Sequence, residues 1–273
     1  MKTQILYLIK FFKKEEHADQ FIKGLLHLKT ISYFKNLEAT EDINEDGRPD
    51  RNEAIAHWWQ PKDFRMKITL THKSTDIDPN IPNEFEISGE DLADPVSMSY
   101  DYHNYLHIFC IYAMHIKGFQ VVNGQIECTE KESYRLKKQL EVDHRNFKFG
   151  EFAVIVPAVQ FLKHMKSVLQ EHKISFEGRL IDYYDESSFN GEIKLNDIPF
   201  KKHKKYSYQH EFRICVNTKT KSKEPLNIEV GDISHICAKI KSSTINEILS
   251  ITSTKVTNES ISSPTLDEST AKL

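Results

Sequence analysis

The sequence predicts an α+β protein built on a mostly antiparallel sheet with flanking helices. Three observations carry that prediction. Segments of strand character outnumber helical ones, and the two do not alternate strictly, as a doubly wound fold would require. No composition break divides residues 1–250 into separate domains. Residues 251–273 are rich in Ser, Thr, Asn and Glu without an aromatic residue, which predicts a flexible polar tail.

Ile5 to Phe12 is apolar, aromatic and bounded by charge, and so predicts a buried strand. Over Lys13 to Lys23, Ala18, Phe21, Ile22 and Leu25 recur at helical spacing, with Gly24 as the stop. Leu26 to Phe34 alternates and predicts a second strand. The acidic stretch 38–53, with Asn, Gly and Pro, predicts a loop. Further strands are expected at Phe64–His72, Leu106–Met114, Phe152–Val156, Gly178–Tyr184 and Tyr206–Val216. A helix is expected at Gln160–Glu171, and a strand pair turning at Gly231 within Ile228–Ile240. Ile245 to Ser250 begins a last helix.

The 273 residues are 39% hydrophobic and 28% charged, and 37 basic against 40 acidic side chains leave a net charge of −3. That balance argues against a uniformly basic nucleic-acid binder. The mean hydropathy is −0.53, and the longest apolar run, Phe152 to Leu162, falls well short of a membrane span. The start has no signal-peptide core. Cys110, Cys128, Cys215 and Cys237 lie far apart with no Cys-x-x-Cys. Together these predict a cytoplasmic protein with reduced thiols and no membrane partner.

Two segments could carry chemistry. Asp42 to Glu53 fits the calcium-loop template D-x-[DN]-x-[DN]-G-x₅-E. Its flanks do not read as helices, and Pro49 stands where such loops carry an apolar residue, so a solvated acidic loop is the expectation and no metal is assigned. The second segment, Phe200 to Ile214, opens with Lys201, Lys202, Lys204 and Lys205, a patch that could attract a phosphate backbone. It continues with Gln209, Glu211 and Arg213, spaced by two so that a strand would project all three from one face. Such a row is either a ladder of paired charges or a catalytic carboxylate held by its neighbours. Trp58-Trp59 reads as core or an aromatic lid. Phosphate-binding glycine loops, zinc-protease motifs and nucleophile elbows are absent from the sequence.

Along the chain come a first strand carrying Lys10, the stretch "HADQFIKGLLHLKTISYFKNLE", an Arg48-x-Asp50-x-x-Glu53 box, the strands "HIFCIYAMH" and "FAVIVP", then "IDYYD" and "KKYSYQHEFRI". The order of these features resembles that of bacterial phage-defence proteins, and is similar to the ADP-ribosyltransferase toxins of toxin–antitoxin–chaperone systems, which modify messenger RNA. The resemblance spans about residues 5–240 and implies an ADP-ribosyltransferase-like fold, a split antiparallel sheet with NAD in the cleft. Gln209-His210-Glu211 matches the family's Gln-x-Glu, so Glu211 would stabilise the positive charge that develops on the ribose, and Gln209 would orient the acceptor. Lys10 stands where the family carries Arg or His. Tyr33 and Phe34 would flank the nicotinamide, and Arg48 and Asp50 would belong to the group's own box at the cofactor. Lys201, Lys202, Lys204 and Lys205 would guide RNA, and an antitoxin protein is a possible partner. The alternative is a non-enzymatic defence sensor or protein-binding module in which Gln209, Glu211 and Arg213 form a structural ladder.

Overall fold

The computed structural model describes residues 3–36, 50, 52–69, 84–122 and 125–249. Arg48, most of the calcium-like loop and the tail after Leu249 lie outside the described residues.

The first strand, β1 (Thr3–Phe12), buries Leu8, Ile9 and Phe11 as its apolar run requires. It leads into α1 (Glu15–Ile22), whose Ala18 and Phe21 face inward at helical spacing. Gly24, at φ +95°, turns the chain into β2 (Leu25–Thr30). No other residue fits there, because a Cβ would lie 2.0 Å from the carbonyl oxygen of Gly231. The strand expected to run through Phe34 stops at Thr30. Tyr33 and Phe34 sit instead on the short helix α2 (Ile31–Asn36), entered where the Thr30 hydroxyl accepts a hydrogen bond from the Tyr33 N–H.

The middle of the chain forms small outlying ribbons. β3 (His57–Trp59), β6 (Val96–Met98) and β11 (Gly191–Glu192) make one, and β4 (Arg65–Thr69) with β5 (Glu84–Ser88) another. Trp58 is buried as expected of core, and its indole donates to the Glu186 carbonyl.

The central strand is β7 (His107–Lys117), continuing where the sequence expected it. It is followed by α3 (Glu130–Leu140), opened by a Thr129/Glu132 capping box, then by β8 (Phe152–Pro157) and α4 (Ala158–Glu171). The strand expected at 178–184 is two, β9 (Phe176–Leu180) and β10 (Asp182–Tyr184), broken at Ile181. β10 pairs in parallel with β12 (Lys201–His203). Likewise β13 (Glu211–Val216) starts five residues later than its expected Tyr206, because Lys204–Gln209 form a 3₁₀ turn and His210 is left-handed at φ +40°. The pair expected to turn at Gly231 is no hairpin. β14 (Leu226–Glu229) joins β2, while β15 (Ala238–Lys241) joins β8 at the far edge. The chain ends its described part in α5 (Ile245–Ile248).

The main sheet is antiparallel throughout, and it divides. On one edge β7 pairs with β13, which pairs with β9. On the other edge β1 pairs with β7 as far as Ile9–Tyr112, whereas β2 takes over only at Lys29–Ile108. Phe109, Cys110 and Ile111 therefore have no strand partner on that edge, and β1 and β2 part around them. One face of the sheet is covered by α1 and α4 over Leu8, Phe109, Ile111, Phe212, Ile214 and Val216. The opposite face carries two smaller cores. One gathers around Ile31, Ala56, Ile108 and Cys215, the other around Ile9, Phe11, Tyr112 and Ile245. Cys110, between Ile108 and Tyr112 on the same face of β7, marks the seam. No helix among the described residues is long and apolar enough to cross a membrane.

Candidate active site

The split opens into a cleft of about 810 Å³, within the range of small-molecule sites. Lys10, Tyr33, Phe34, Gln209 and Glu211 all line it, together with Glu53, Lys202, Arg213, Cys110 and Asn146. Lys10 and Phe109 come from the α1 side of the sheet, while Cys110, Glu211 and Arg213 come from the other. The cleft thus passes through the gap in the sheet and does not merely lie on its surface.

The floor is an ionic ladder. Glu211 opens β13, where its N–H donates to the Tyr183 hydroxyl at 2.9 Å. Its Oε1 accepts from Arg213 Nε at 2.7 Å, and its Oε2 from Lys202 Nζ at 3.2 Å. Arg213 Nη1 reaches Glu53 Oε1 at 2.5 Å and the Pro199 carbonyl at 2.6 Å. Lys202 Nζ also donates to Gln209 Oε1 at 2.8 Å. Arg213 has no solvent exposure and Glu211 only 5%. Burial alone would neutralise Glu211, but Arg213 and Lys202 outweigh it and hold the carboxyl well below its ordinary range. Burial likewise opposes the charge on Lys202. Glu211 and Glu53 overcome it and hold the ammonium above its usual pKa. These shifts favour the charged forms of Glu211, Lys202 and Arg213. The Cys110 thiol adds a third side-chain hydrogen bond to the Glu211 carboxylate, beside those from Arg213 and Lys202. Two polar atoms on the wall have no partner: Asn146 Oδ1 and Arg213 Nη2.

The one-face expectation for Gln209, Glu211 and Arg213 holds for the last two, which alternate on β13. Gln209 lies off the strand and reaches the same cleft through Lys202. His210 turns the other way and stacks on Tyr112 at 5.5 Å, and burial pushes its ring down to about 4.

Lys10 spans the gap. Its ammonium donates to the Cys110 carbonyl at 2.5 Å and lies 4.5 Å from the centre of the Phe109 ring. A lysine suits this place because it brings a donor to a carbonyl that the parting strands leave without a ladder partner. Tyr33 and Phe34 meet edge to face at 5.4 Å, and the Lys29 ammonium lies 4.7 Å from the Tyr33 ring.

Other expectations require correction. Asp50 does not line the cleft. It is buried behind it at 1% exposure, and its Oδ1 accepts from the Asn52 N–H. Burial and the nearby Glu53 push its carboxyl up to about 7. The four lysines do not form one phosphate-facing patch. Lys202 points into the ladder, Lys201 pairs with Asp182, Lys204 pairs with Asp185 at 3.3 Å, and Lys205 lies over Tyr206. The cause is that the run is not one turn: β12 pins Lys201 and Lys202 beside β10, and the 3₁₀ turn redirects the rest. Glu53, the last ligand of the calcium template, is buried against Arg213. Nothing in the sequence signals the inward role of Lys202 or the wall position of Asn146. A lysine beside lysines carries no signal of burial, and Asn146 sits in a segment without periodicity.

No family model, curated protein or solved structure matches this chain.

Proposed function

We propose that the chain is an NAD-dependent ADP-ribosyltransferase acting on RNA, with the sheet cleft as the NAD site and a toxic role in anti-phage defence. One observation carries the reading: the split of an antiparallel sheet forms a cleft in which Glu211, Gln209, Lys10, Tyr33 and Phe34 meet. Those residues come from sequence positions up to two hundred apart, and all were singled out for that chemistry. In the reaction the bond between the ribose C1′ and the nicotinamide nitrogen breaks, and the electron pair leaves with neutral nicotinamide. A nucleophilic atom of the acceptor bonds to C1′ and loses its proton to solvent. Glu211, held ionised, would stabilise the cationic ribose and accept a hydrogen bond from its hydroxyl. The Tyr33–Phe34 pair would stack on the planar nicotinamide. RNA as acceptor, and a restraining antitoxin, rest on the resemblance, since the lysine run does not form one surface.

A second reading has its own observation. Glu211 is nearly buried and bonded to two cations, as a purely structural ladder in a non-enzymatic defence module would be. Incubating the protein with labelled NAD and, separately, RNA, DNA and cell protein distinguishes the two. Label should pass to RNA and fall at least about 100-fold in Glu211→Gln. Absence of both transfer and free nicotinamide would favour the structural ladder.

A further inference from the structure

The mouth of the cleft differs in charge from its floor. The carboxylates among its described lining residues, Glu53 and Glu211, both sit in the ladder with Lys202 and Arg213. The cations continue outward: Lys13 and Lys14 in the turn that ends β1, Lys29 on β2, and Lys10 between, with the exposed Glu16 carboxylate 3.6 Å from Lys14 as a counter-charge that an anion would compete with. His17 and Gln20 from α1 and His27 from β2 complete that end. Lys13 and Lys14 thus follow directly on one of the two strands that part at the split, and Lys29 lies on the other. A ligand seated in the gap would be reached by ammonium groups from both sides. The cleft between mouth and floor is aromatic, through Phe12, Phe21, Phe109, Tyr33 and Phe34. On a chain of net charge −3, this concentration of cations in a concave, aromatic-walled cleft selects a small, doubly charged anion attached to planar rings.

We propose that Lys13, Lys14 and Lys29 form a diphosphate-binding arm, so that the cleft takes a nucleoside diphosphate with its phosphates at the mouth. This deepens the transferase reading by placing the pyrophosphate of NAD, yet it makes a separate claim about binding. A point-charge ammonium on a flexible stem suits a diphosphate, whose charge is spread over several oxygens. Lys29, lying over the Tyr33 ring, couples the phosphate end to the aromatic end.

Titration calorimetry of the full chain with ADP-ribose, ADP, AMP and adenosine tests the arm without any transfer step. ADP-ribose and ADP should bind at least about tenfold more tightly than AMP, and adenosine weakest of all. Lys14→Glu and Lys29→Glu, both at exposed or half-buried positions, should each weaken ADP-ribose about tenfold and leave the thermal midpoint unchanged. Equal affinity for ADP and AMP, or unaltered ADP-ribose binding in both variants, would overturn the arm. So would variants that lose a short oligoribonucleotide but keep ADP-ribose, because the lysines would then serve nucleic acid. Lysine-dependent binding of ADP-ribose with no transfer from NAD would leave the arm standing and remove the transferase reading. Transfer that depends on Glu211 but is indifferent to Lys14 and Lys29 would do the reverse.

Discussion

On β13 the side chains of Phe212, Ile214 and Val216 enter an apolar core beneath α4, whereas Glu211 and Arg213, one residue out of phase, meet Lys202 and Glu53 on the other face. Both faces are buried, but they are held by different physics. The first gains from removing hydrocarbon from water and from close packing, and neighbouring apolar residues can substitute with small losses. The second places four charges out of solvent, where desolvation consumes most of what their attraction returns. A buried ladder of that kind contributes little net stability and fails badly when one member is lost. Its position at the bottom of the cleft places Glu211 beside any ligand bound there, while Arg213 stays fully buried behind it.

The largest expected effect lies on the ionic face. Arg213→Met leaves Glu211 and Glu53 buried without their shared cation, and urea unfolding should show a loss of about 3–5 kcal/mol. A loss under about 1 kcal/mol would mean that water enters the ladder and that the contrast between the faces is small.

Asp50, behind the ladder, gives the next effect. It faces Glu53, Lys202 and Lys205, and its carboxyl is raised to about 7 from an ordinary 3.8. Between those values the folded state holds a proton that the unfolded chain releases, so stability should fall as pH rises from about 4 to about 7. Glu211, shifted downward, works in the opposite sense and loses its contribution only in acid, as pH falls below the ordinary glutamate range. Asp50→Asn should flatten the fall between pH 4 and 7 in a series of thermal melts. An unchanged slope would place that proton elsewhere.

Ile214→Val, on the apolar face, should cost about 0.5–1.5 kcal/mol by the same unfolding measurement. A larger cost would show that the core under α4 cannot relax. Smallest of all, Lys201→Ala and Lys204→Ala break partly exposed pairs with Asp182 and Asp185 and should each change stability by less than about 1 kcal/mol. A bigger change at Lys201 would extend the ladder outward from Lys202.

Much of the sheet was legible before any coordinates. Apolar and β-branched runs located β1, β7 and β8, and helical spacing located α1 and α4, because each pattern is set by local geometry and a one-sided core. Reading failed where a local hydrogen bond competed with the pattern. The alternation through Tyr33 gave way at Thr30, and the alternation of residues 206–210 gave way to a 3₁₀ turn and a left-handed His210. The hairpin expected at Gly231 did not form, because β14 and β15 pair with β2 and β8 and not with each other, although Gly231 does adopt a left-handed φ of +81°.

The sequence by itself determined the α+β class and the phase of β13 that sets Glu211 and Arg213 apart from Phe212 and Ile214, while Lys10, Tyr33 and Phe34 became candidates through the resemblance alone. Only the tertiary structure decided that β1 and β2 part over Phe109–Ile111, that Lys202 turns inward while Lys201 and Lys204 pair outside, and that Asp50 lies behind the cleft. The reason is range. Alternation and helical spacing are written in neighbours a few residues apart, whereas strand registry and the partner of a buried charge are settled between segments far apart in the chain, which meet only when the sheet closes.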